Sequence, residues 1–395
     1  MSPLPLIAHL DADAFFVSCE LALRPELRGT KCAVGGRERG IISSASYEAR
    51  ACGVYTPMPT KTARKICPDL IMLPHTSGLY GKVSRQVFDL CETLTPLVQR
   101  NSIDEGYLDL SLCGFKTIEE VEQRLRALQR RIWEELQIPT SFGIATNKLV
   151  SAIASKARKP RGFTIVKSGD EASFLAPLKI SVIPGVGTKS EARLVAAGIR
   201  LVSDIFKKTE AELMSLFGNS LPEMLRMARG IDDRAVETER EDAKSYSTQE
   251  TFGDDIGDER EIERIAKRMI DELMPKIRED GKRVKTMTVK VRYPGMEDSS
   301  AARSIATATD LETAFYPLVI PLLRAAWTKR RPLRLVSVRF SNVEGVEGQM
   351  EMFAQSENRK RRLATVIDQL NDRGRNNIVR RGHQLNPDEE KLGRG

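Results

Sequence analysis

Two aspartates, Asp11 and Asp13, occupy alternate positions of the otherwise apolar run HLDADAFFVSCE, residues 9 to 20. Residues i and i+2 of a strand face the same way, so both carboxylates would leave one edge together and repel unless a cation lay between them. Read alone, the stretch is equally a strand end whose aspartate caps the next helix. A second acidic site, Asp104 and Glu105 in SIDEGYLDL, turns the balance toward chemistry. Hard oxygen ligands drawn from two separate strands suit Mg²⁺ or Mn²⁺. Ions held in that way activate an attacking oxygen and stabilise a leaving pyrophosphate.

Three further stretches carry groups that suit phosphate. In ASYEARACGV, Tyr47 and Arg50 are three apart, neighbours on a helical turn, so Arg50 could fork onto phosphate oxygens while Tyr47 donates its hydroxyl. The alternative is a surface arginine packed on an aromatic ring. In SKARKPRG, residues 155 to 162, a basic helix end runs into Pro160 with Lys159 as a point charge; compensation of the helix dipole explains such a cluster as well. IPGVGTKSEARL matches the helix-hairpin-helix pattern, in which Gly185 and Gly187 let backbone N–H groups approach a DNA phosphate, with Lys189 beside them. A helix-to-helix turn capped by glycine would look similar.

The elements that must position these groups follow from periodicity. From residue 5 to 110 short apolar strands alternate with helical stretches, and residues 117 to 136 carry an apolar stripe at Ile118, Val121, Leu125, Leu128, Ile132 and Leu136, which is α/β patterning. Residues 171 to 229 read as helical. From 245 to 343 the pattern is α+β: KTMTVKVRY and RLVSVRFSNV alternate strictly, so Met287, Val289, Val291 and Tyr293 share a buried face. Thr286, Thr288, Lys290 and Arg292 share the other, and Arg339 extends the same basic character. Between residues 273 and 340 Lys and Arg outnumber acids 14 to 6, whereas residues 232 to 263 are acidic, which points to a polyanion partner for the former.

At 395 residues, 41% hydrophobic and with net charge +8, the chain is a globular multidomain protein. Its six cysteines lack C-x-x-C spacing and its three histidines are scattered, which argues against a zinc site and for reduced thiols in a cytoplasmic protein. No signal-like leader and no long apolar run is expected to engage a membrane.

Taken in order, DADAFF, YEAR, SIDEGYLD, SKARKPRG and IPGVG resemble the Y-family translesion DNA polymerases, their bacterial members most closely, over roughly residues 5 to 380. The resemblance implies a right-hand polymerase with these parts: a palm at 1–10 and 77–166, small fingers at 11–76, a helical thumb with the hairpin motif at 167–231, a linker at 232–244, a little finger at 245–343 and a tail at 344–395. It implies a template-directed, low-fidelity enzyme that adds dNTPs to a primer 3′-OH. No segment reads as a proofreading exonuclease.

By the same resemblance, Asp11, Asp104 and Glu105 would hold two Mg²⁺ ions, with Mn²⁺ as a substitute and the backbone carbonyl of Ala12 as a further ligand. Asp13 falls to a supporting place. Phe16 matches the steric gate that clashes with a ribose 2′-OH, with Phe15 packing beside it at the triphosphate; Tyr47, Arg50 and Lys159 match the residues that hold that triphosphate. Apart from the resemblance, the small residues Ser43 and Ser44 just before the YEAR turn are expected from their size to roof the templating base. QMEMF, residues 349 to 353, resembles the sliding-clamp pentapeptide, with Gln349, Met352 and Phe353 as its anchors. Two departures stand out: Ala51 where a charged residue is common, and Gly106 where alanine is usual, a change of one methyl expected to be tolerated. The implied partners are primer-template DNA, dNTPs and the clamp, with the enzyme a monomer. The rivals are a DNA-binding accessory that has lost catalysis and another palm-type metal enzyme, such as a nucleotide cyclase or nuclease.

Overall fold

The computed structural model describes residues 4–36, 39–239, 242–329, 331–345, 355–373 and 379–384. The chain forms two compact units, Met1–Arg240 and Glu241–Gly395, divided within the segment expected to be the linker. The first unit opens with β1 (Ile7–Ala12), α1 (Phe15–Ala22), β2 (Cys32–Gly35), β3 (Ile42–Ala45), α2 (Tyr47–Ala51), α3 (Thr60–Ile66) and β4 (Ile71–Leu73). It continues with α4 (Leu79–Glu92), β5 (Val98–Arg100), β6 (Glu105–Asp109), α5 (Ile118–Leu136), β7 (Thr140–Ala145), α6 (Lys148–Lys156) and β8 (Phe163–Ile165). The helical region follows: α7 (Glu171–Leu175), α8 (Thr188–Ala196), α9 (Glu210–Phe217) and α10 (Leu221–Ala228).

Five strands form one sheet in the order β5-β6-β1-β7-β8, with β1 antiparallel to both of its neighbours. Central position explains why β1 is covered on both faces. Ala8, Leu10 and Ala12 enter a core with Phe88 of α4 and Leu125 and Ile132 of α5, where each fully buried large apolar side chain contributes about 1.5–3 kcal/mol. His9 and Asp11 point the other way, toward the end of α6. That helix can lie close because β7 carries Gly143: a Cβ there would stand 2.1 Å from the Ser151 carbonyl oxygen and 2.2 Å from the Ser155 nitrogen.

A smaller sheet, β3-β2-β4, packs with α2 and α3 around Ala33, Ile42, Ala49, Met58 and Ala63. A boundary at residue 10/11 is therefore misplaced. Asp11 and Ala12 continue β1, in register with Glu105 of β6 and with Ser141 and Thr140 of β7, so the strand belongs wholly to the palm-like sheet. Helix α1 is shared: Phe15 and Cys19 join the palm core, while Val17 meets Cys32, Val34 and Leu73.

The second unit contains β9 (Ser245–Ile256), α11 (Glu259–Glu279), β10 (Lys282–Arg292), β11 (Asp298–Thr309), α12 (Tyr316–Ala326), β12 (Leu333–Gly345) and α13 (Gln355–Arg373). Its antiparallel sheet, β11-β10-β12-β9, buries Met287, Val289, Val291, Tyr293, Val336, Val338 and Phe340 beneath α11 and α12. Helix α13 is docked on this unit. Arg278 of α11 donates to Asp368 of α13 at 2.6 and 3.0 Å and to Glu312 at 2.7 Å, and Arg361 donates to Asp310 at 2.9 Å. QMEMF, with Gln349, Met352 and Phe353, lies outside the described residues. Among the described residues no helix is long and apolar enough to cross a membrane.

Candidate active site

The site forms where β1 ends. In register, Asp11 faces Glu105 on one side and Ser141 on the other, and directly opposed antiparallel residues share a face with Cβ atoms about 4.5–5.5 Å apart. Asp104 is locked beside them because its carbonyl accepts the Ala12 N–H at 2.8 Å. The two acidic stretches, more than ninety residues apart in sequence, thus meet at one strand end, as their types required.

Their proximity has an electrostatic consequence. Burial holds the Asp11 carboxyl above its usual range; Lys159 opposes that rise, and the charges of Glu105 and Asp104 add to it. Among the described residues no three acidic, His or Cys side chains converge closely enough to hold a metal as they stand, because each carboxylate is engaged by a neighbour. Asp104 accepts the Ser102 hydroxyl, Glu105 takes Asn101 at 3.4 Å and lies 3.9 Å from Lys156, and Asp11 is paired with Lys159. The donor set nonetheless fits a divalent ion: it is all oxygen, and the Lys159 ammonium already lies as a cation between Asp11 and Asp13, 3.4 Å from the latter.

His9, beneath this cluster, is 1% exposed. Burial, then the charges of Lys156 and Lys159, push its pKa down to about 3, so the ring is neutral at pH 7. Its Nδ1 meets Ser155 Oγ at 2.9 Å, and since that hydroxyl donates to the Ala152 carbonyl, Nδ1 is the ring's N–H. The Nε2 lone pair is left facing Glu105, 3.8 Å away.

Asp13 lies just past β1 and is fully buried. Its oxygens accept the Ser141 hydroxyl at 2.9 and 3.0 Å, the Arg161 N–H at 2.7 Å and, more weakly, the Tyr47 hydroxyl at 3.4 Å. Burial, and then the Asp13 charge, raise the Tyr47 pKa, which keeps that hydroxyl a donor. Arg50 stacks on the Tyr47 ring with its guanidinium carbon 4.8 Å from the centroid, while its Nε donates to the Ala45 carbonyl at 3.0 Å. The stacking expected as one reading of this pair is therefore present, with the exposed guanidinium held over the ring.

Phe16 is half-buried, edge-on to Tyr80 with ring centroids 4.7 Å apart. Tyr80 is fixed in turn by the fully buried Glu20, which accepts its hydroxyl at 2.8 Å together with Arg24 and Thr76. Phe15 requires a correction: at 3% exposure its ring is part of the palm core, so it supplies packing and cannot itself reach a triphosphate. Ser44 is also displaced from its expected role, being 5% exposed and turned toward α1, whereas Ser43 on the alternate face of β3 is exposed. Gly106 is not an interchangeable position: a Cβ there would stand 2.6 Å from Phe88 Cε1 and 2.7 Å from the Gln99 carbonyl oxygen.

Of the residues expected to contact DNA, Gly185, Gly187 and Lys189 belong to the helical region of the first unit and Lys290, Arg292 and Arg339 to the second unit. In the helical region Gly185 adopts a left-handed φ of 88° and Gly187 caps α8, with Lys189 exposed in its first turn. On β10 and β12, Lys290 and Arg292 are half-exposed and Arg339 is exposed. Arg292 is engaged in a bidentate pair with Asp298 across the hairpin, at 2.6 and 2.9 Å. Ser141, Arg161, Glu20 and Tyr80 were missed at the sequence level; no local pattern marks them, because their partners are distant in the chain.

A family model described as the impB/mucB/samB family matches residues 10–156, and its C-terminal domain matches residues 243–352. The chain is 70% identical to the DNA polymerase IV of Opitutus terrae over 97% of its length and 98% of that protein's. It is 36% identical to the DNA polymerase IV of Desulfatibacillum aliphaticivorans over 93% and 94% of the two chains. Among solved structures, a Y-family DNA polymerase chimera, Dbh-Dpo4(243-245)-Dbh, superposes with a TM-score of 0.78 at 26% identity, covering 86% of this chain and 99% of that one. DinB from Sulfolobus solfataricus superposes with a TM-score of 0.59 at 26% identity, covering 85% and 98%.

Proposed function

Because the chain belongs to the impB/mucB/samB family of Y-family DNA polymerases, we propose that Asp11, Asp104 and Glu105 are its catalytic carboxylates and that the ions they hold are two Mg²⁺. The protein is a DNA-directed DNA polymerase of the translesion type, a divalent-metal-dependent enzyme that extends a primer on template DNA with dNTPs and does not proofread. The observation that carries the residue assignment is the register of β1 with β6, which joins Asp11 to Glu105 and Asp104 at one strand end. Bound there, divalent ions would neutralise the triphosphate and activate the primer hydroxyl.

The remaining work falls to the chain's own groups. Phosphoryl transfer depends mainly on positioning and charge neutralisation. Lys159, Arg50 and Tyr47 face this end of β1 as two cations and a protonated hydroxyl, suited to phosphate oxygens. Phe16, braced by Tyr80, would lie under the sugar and exclude a 2′-OH. Phe15's part at the triphosphate reduces to the leading N–H groups of α1, which have no partner within the helix. Gly185, Gly187 and Lys189 would hold a DNA phosphate, and Lys290, Arg292 and Arg339 the duplex backbone on the open sheet face. Gln349, Met352 and Phe353 would tether the sliding clamp, a reading supported by their pattern and their place after β12.

Primer extension on an undamaged template with dNTPs and Mg²⁺, run beside Asp104→Ala, tests the assignment. Extension by the wild type that disappears in the variant is the expected result. Extension that persists in Asp104→Ala would remove that residue from the catalytic set, and a wild type that binds DNA but does not extend would return the accessory-protein reading.

A further inference from the structure

We propose that Asp13 is a positioning residue that anchors the loop carrying Lys159 and so fixes where that ammonium meets the phosphates of an incoming nucleotide. The proposal rests on the reading that Lys159 binds the triphosphate.

Asp13 is in neither of the roles its place in sequence suggests. It does not cap α1: the capping position is Ala14, with no side-chain capping bond, and Asp13 contributes there only its carbonyl, which accepts the Ser18 hydroxyl at 2.6 Å. Nor is it placed as a metal ligand. Its side chain is completely buried, Oδ1 is engaged by Ser141, Tyr47 and Lys159, and Oδ2 by Ser141 and the Arg161 N–H. A buried carboxylate persists only when its oxygens are satisfied, and here that has been achieved by gathering groups from 128 and 148 residues downstream.

What those groups have in common is the loop after α6. Arg161 follows Lys159 by two residues and has a φ of 54°, a left-handed conformation that a non-glycine residue keeps only when its surroundings impose it. Three restraints do so. Asp13 accepts its N–H, its guanidinium stacks on Trp133 with the carbon 4.6 Å from the ring centroid, and the next N–H, of Gly162, donates at 2.9 Å to the same Ser141 hydroxyl that binds Asp13. With Arg161 pinned on one side and α6 ending at Lys156 on the other, the loop has little freedom, and the Lys159 ammonium emerges beside Asp13 itself. Asp13 therefore acts on the nucleotide through Lys159.

The test is equilibrium dNTP binding to the full-length enzyme on a chain-terminated primer-template, which isolates binding from chemistry, with primer-template affinity measured in parallel. Lys159→Ala and Asp13→Asn are each expected to weaken dNTP binding roughly tenfold, the scale of one charge-assisted contact, and to leave primer-template affinity unchanged. In the double variant the losses should not add, since the second change removes an anchor whose load has gone. Additive losses, or an Asp13→Asn enzyme that binds dNTP normally while Lys159→Ala does not, would overturn the proposal. If Lys159→Ala itself binds dNTP normally, the triphosphate role of Lys159 fails and takes the proposal with it. Should Asp13→Asn not fold, Ser141→Ala replaces it: dNTP affinity lower in the wild-type background but unaltered in Lys159→Ala supports the anchor, and any other pattern opposes it.

Discussion

Gly106 sits between Glu105 and Tyr107 in the strand that carries one of the proposed metal carboxylates and directly follows another, and its replacement by alanine should be costly. The added methyl would lie 2.6 Å from Phe88 Cε1 and 2.7 Å from the Gln99 carbonyl oxygen, well inside the 3.4 Å at which ordinary contact begins. Neither neighbour can retreat easily. Phe88 is 1% exposed in the palm core, and Gln99 is held by its strand pairing with Tyr107 and by a side chain that accepts from Lys148 at 2.7 Å and from the Glu237 N–H at 3.0 Å. Overpacking of this kind costs about 1–3 kcal/mol, against a gain of about 0.4–1 kcal/mol from a stiffer unfolded chain, so Gly106→Ala should be destabilised by about 1–2 kcal/mol net. Of the two tryptophans, Trp133 reports on the first unit, and a Trp327→Phe background makes it the sole reporter in urea unfolding. The midpoint should fall with little change in slope, and primer extension should lose kcat more than dNTP affinity as β6 shifts Glu105 relative to Asp11. Adding Phe88→Leu relieves the ring but leaves the carbonyl, so rescue should be partial. An unchanged midpoint in Gly106→Ala would show that β5 and α4 have slack and that close approach does not explain the glycine.

Phe16→Ala should raise the kcat/KM for ribonucleotides relative to deoxynucleotides by roughly two orders of magnitude, the scale on which packing alone discriminates one hydroxyl; unaltered sugar selectivity would remove Phe16 from the gate. Replacing Met352 and Phe353 together by alanine should abolish clamp-stimulated synthesis and spare distributive synthesis, whereas loss of both activities would place that segment in the fold.

Much of the site was legible because the information is local. Alternation identified β1 and the buried and open faces of β10; acidity singled out Asp11, Asp104 and Glu105, which the fold brings to one strand end; and three-residue spacing placed Tyr47 and Arg50 on one turn. Period also contained a signal that went unused. With α1 starting at Phe15, adjacent residues lie about 100° apart around the helix, so Phe15 and Phe16 cannot serve one surface, and the core takes Phe15. Likewise Ser43 and Ser44 in a strand must face opposite ways.

What no local pattern could supply is the second tier of contacts, where one residue's identity is set by another far along the chain. The need for glycine at 106 comes from a phenylalanine on α4 and a carbonyl on β5, neither of which has a sequence signature pointing to it. Arg292 looks like a free cation until the hairpin brings Asp298 across from it, so its charge is already partly neutralised within the sheet. The same reasoning separates Asp11 from Asp13. The two share an alternation and one lysine, yet Asp11 faces Glu105 across the strands with Asp104 bonded to the next residue, whereas Asp13, just past the strand, takes a hydroxyl and a backbone N–H. A carboxylate among carboxylates calls for a cation, and a carboxylate among donors holds structure; the roles proposed for the two rest on what β6, β7 and the loop after α6 bring to each.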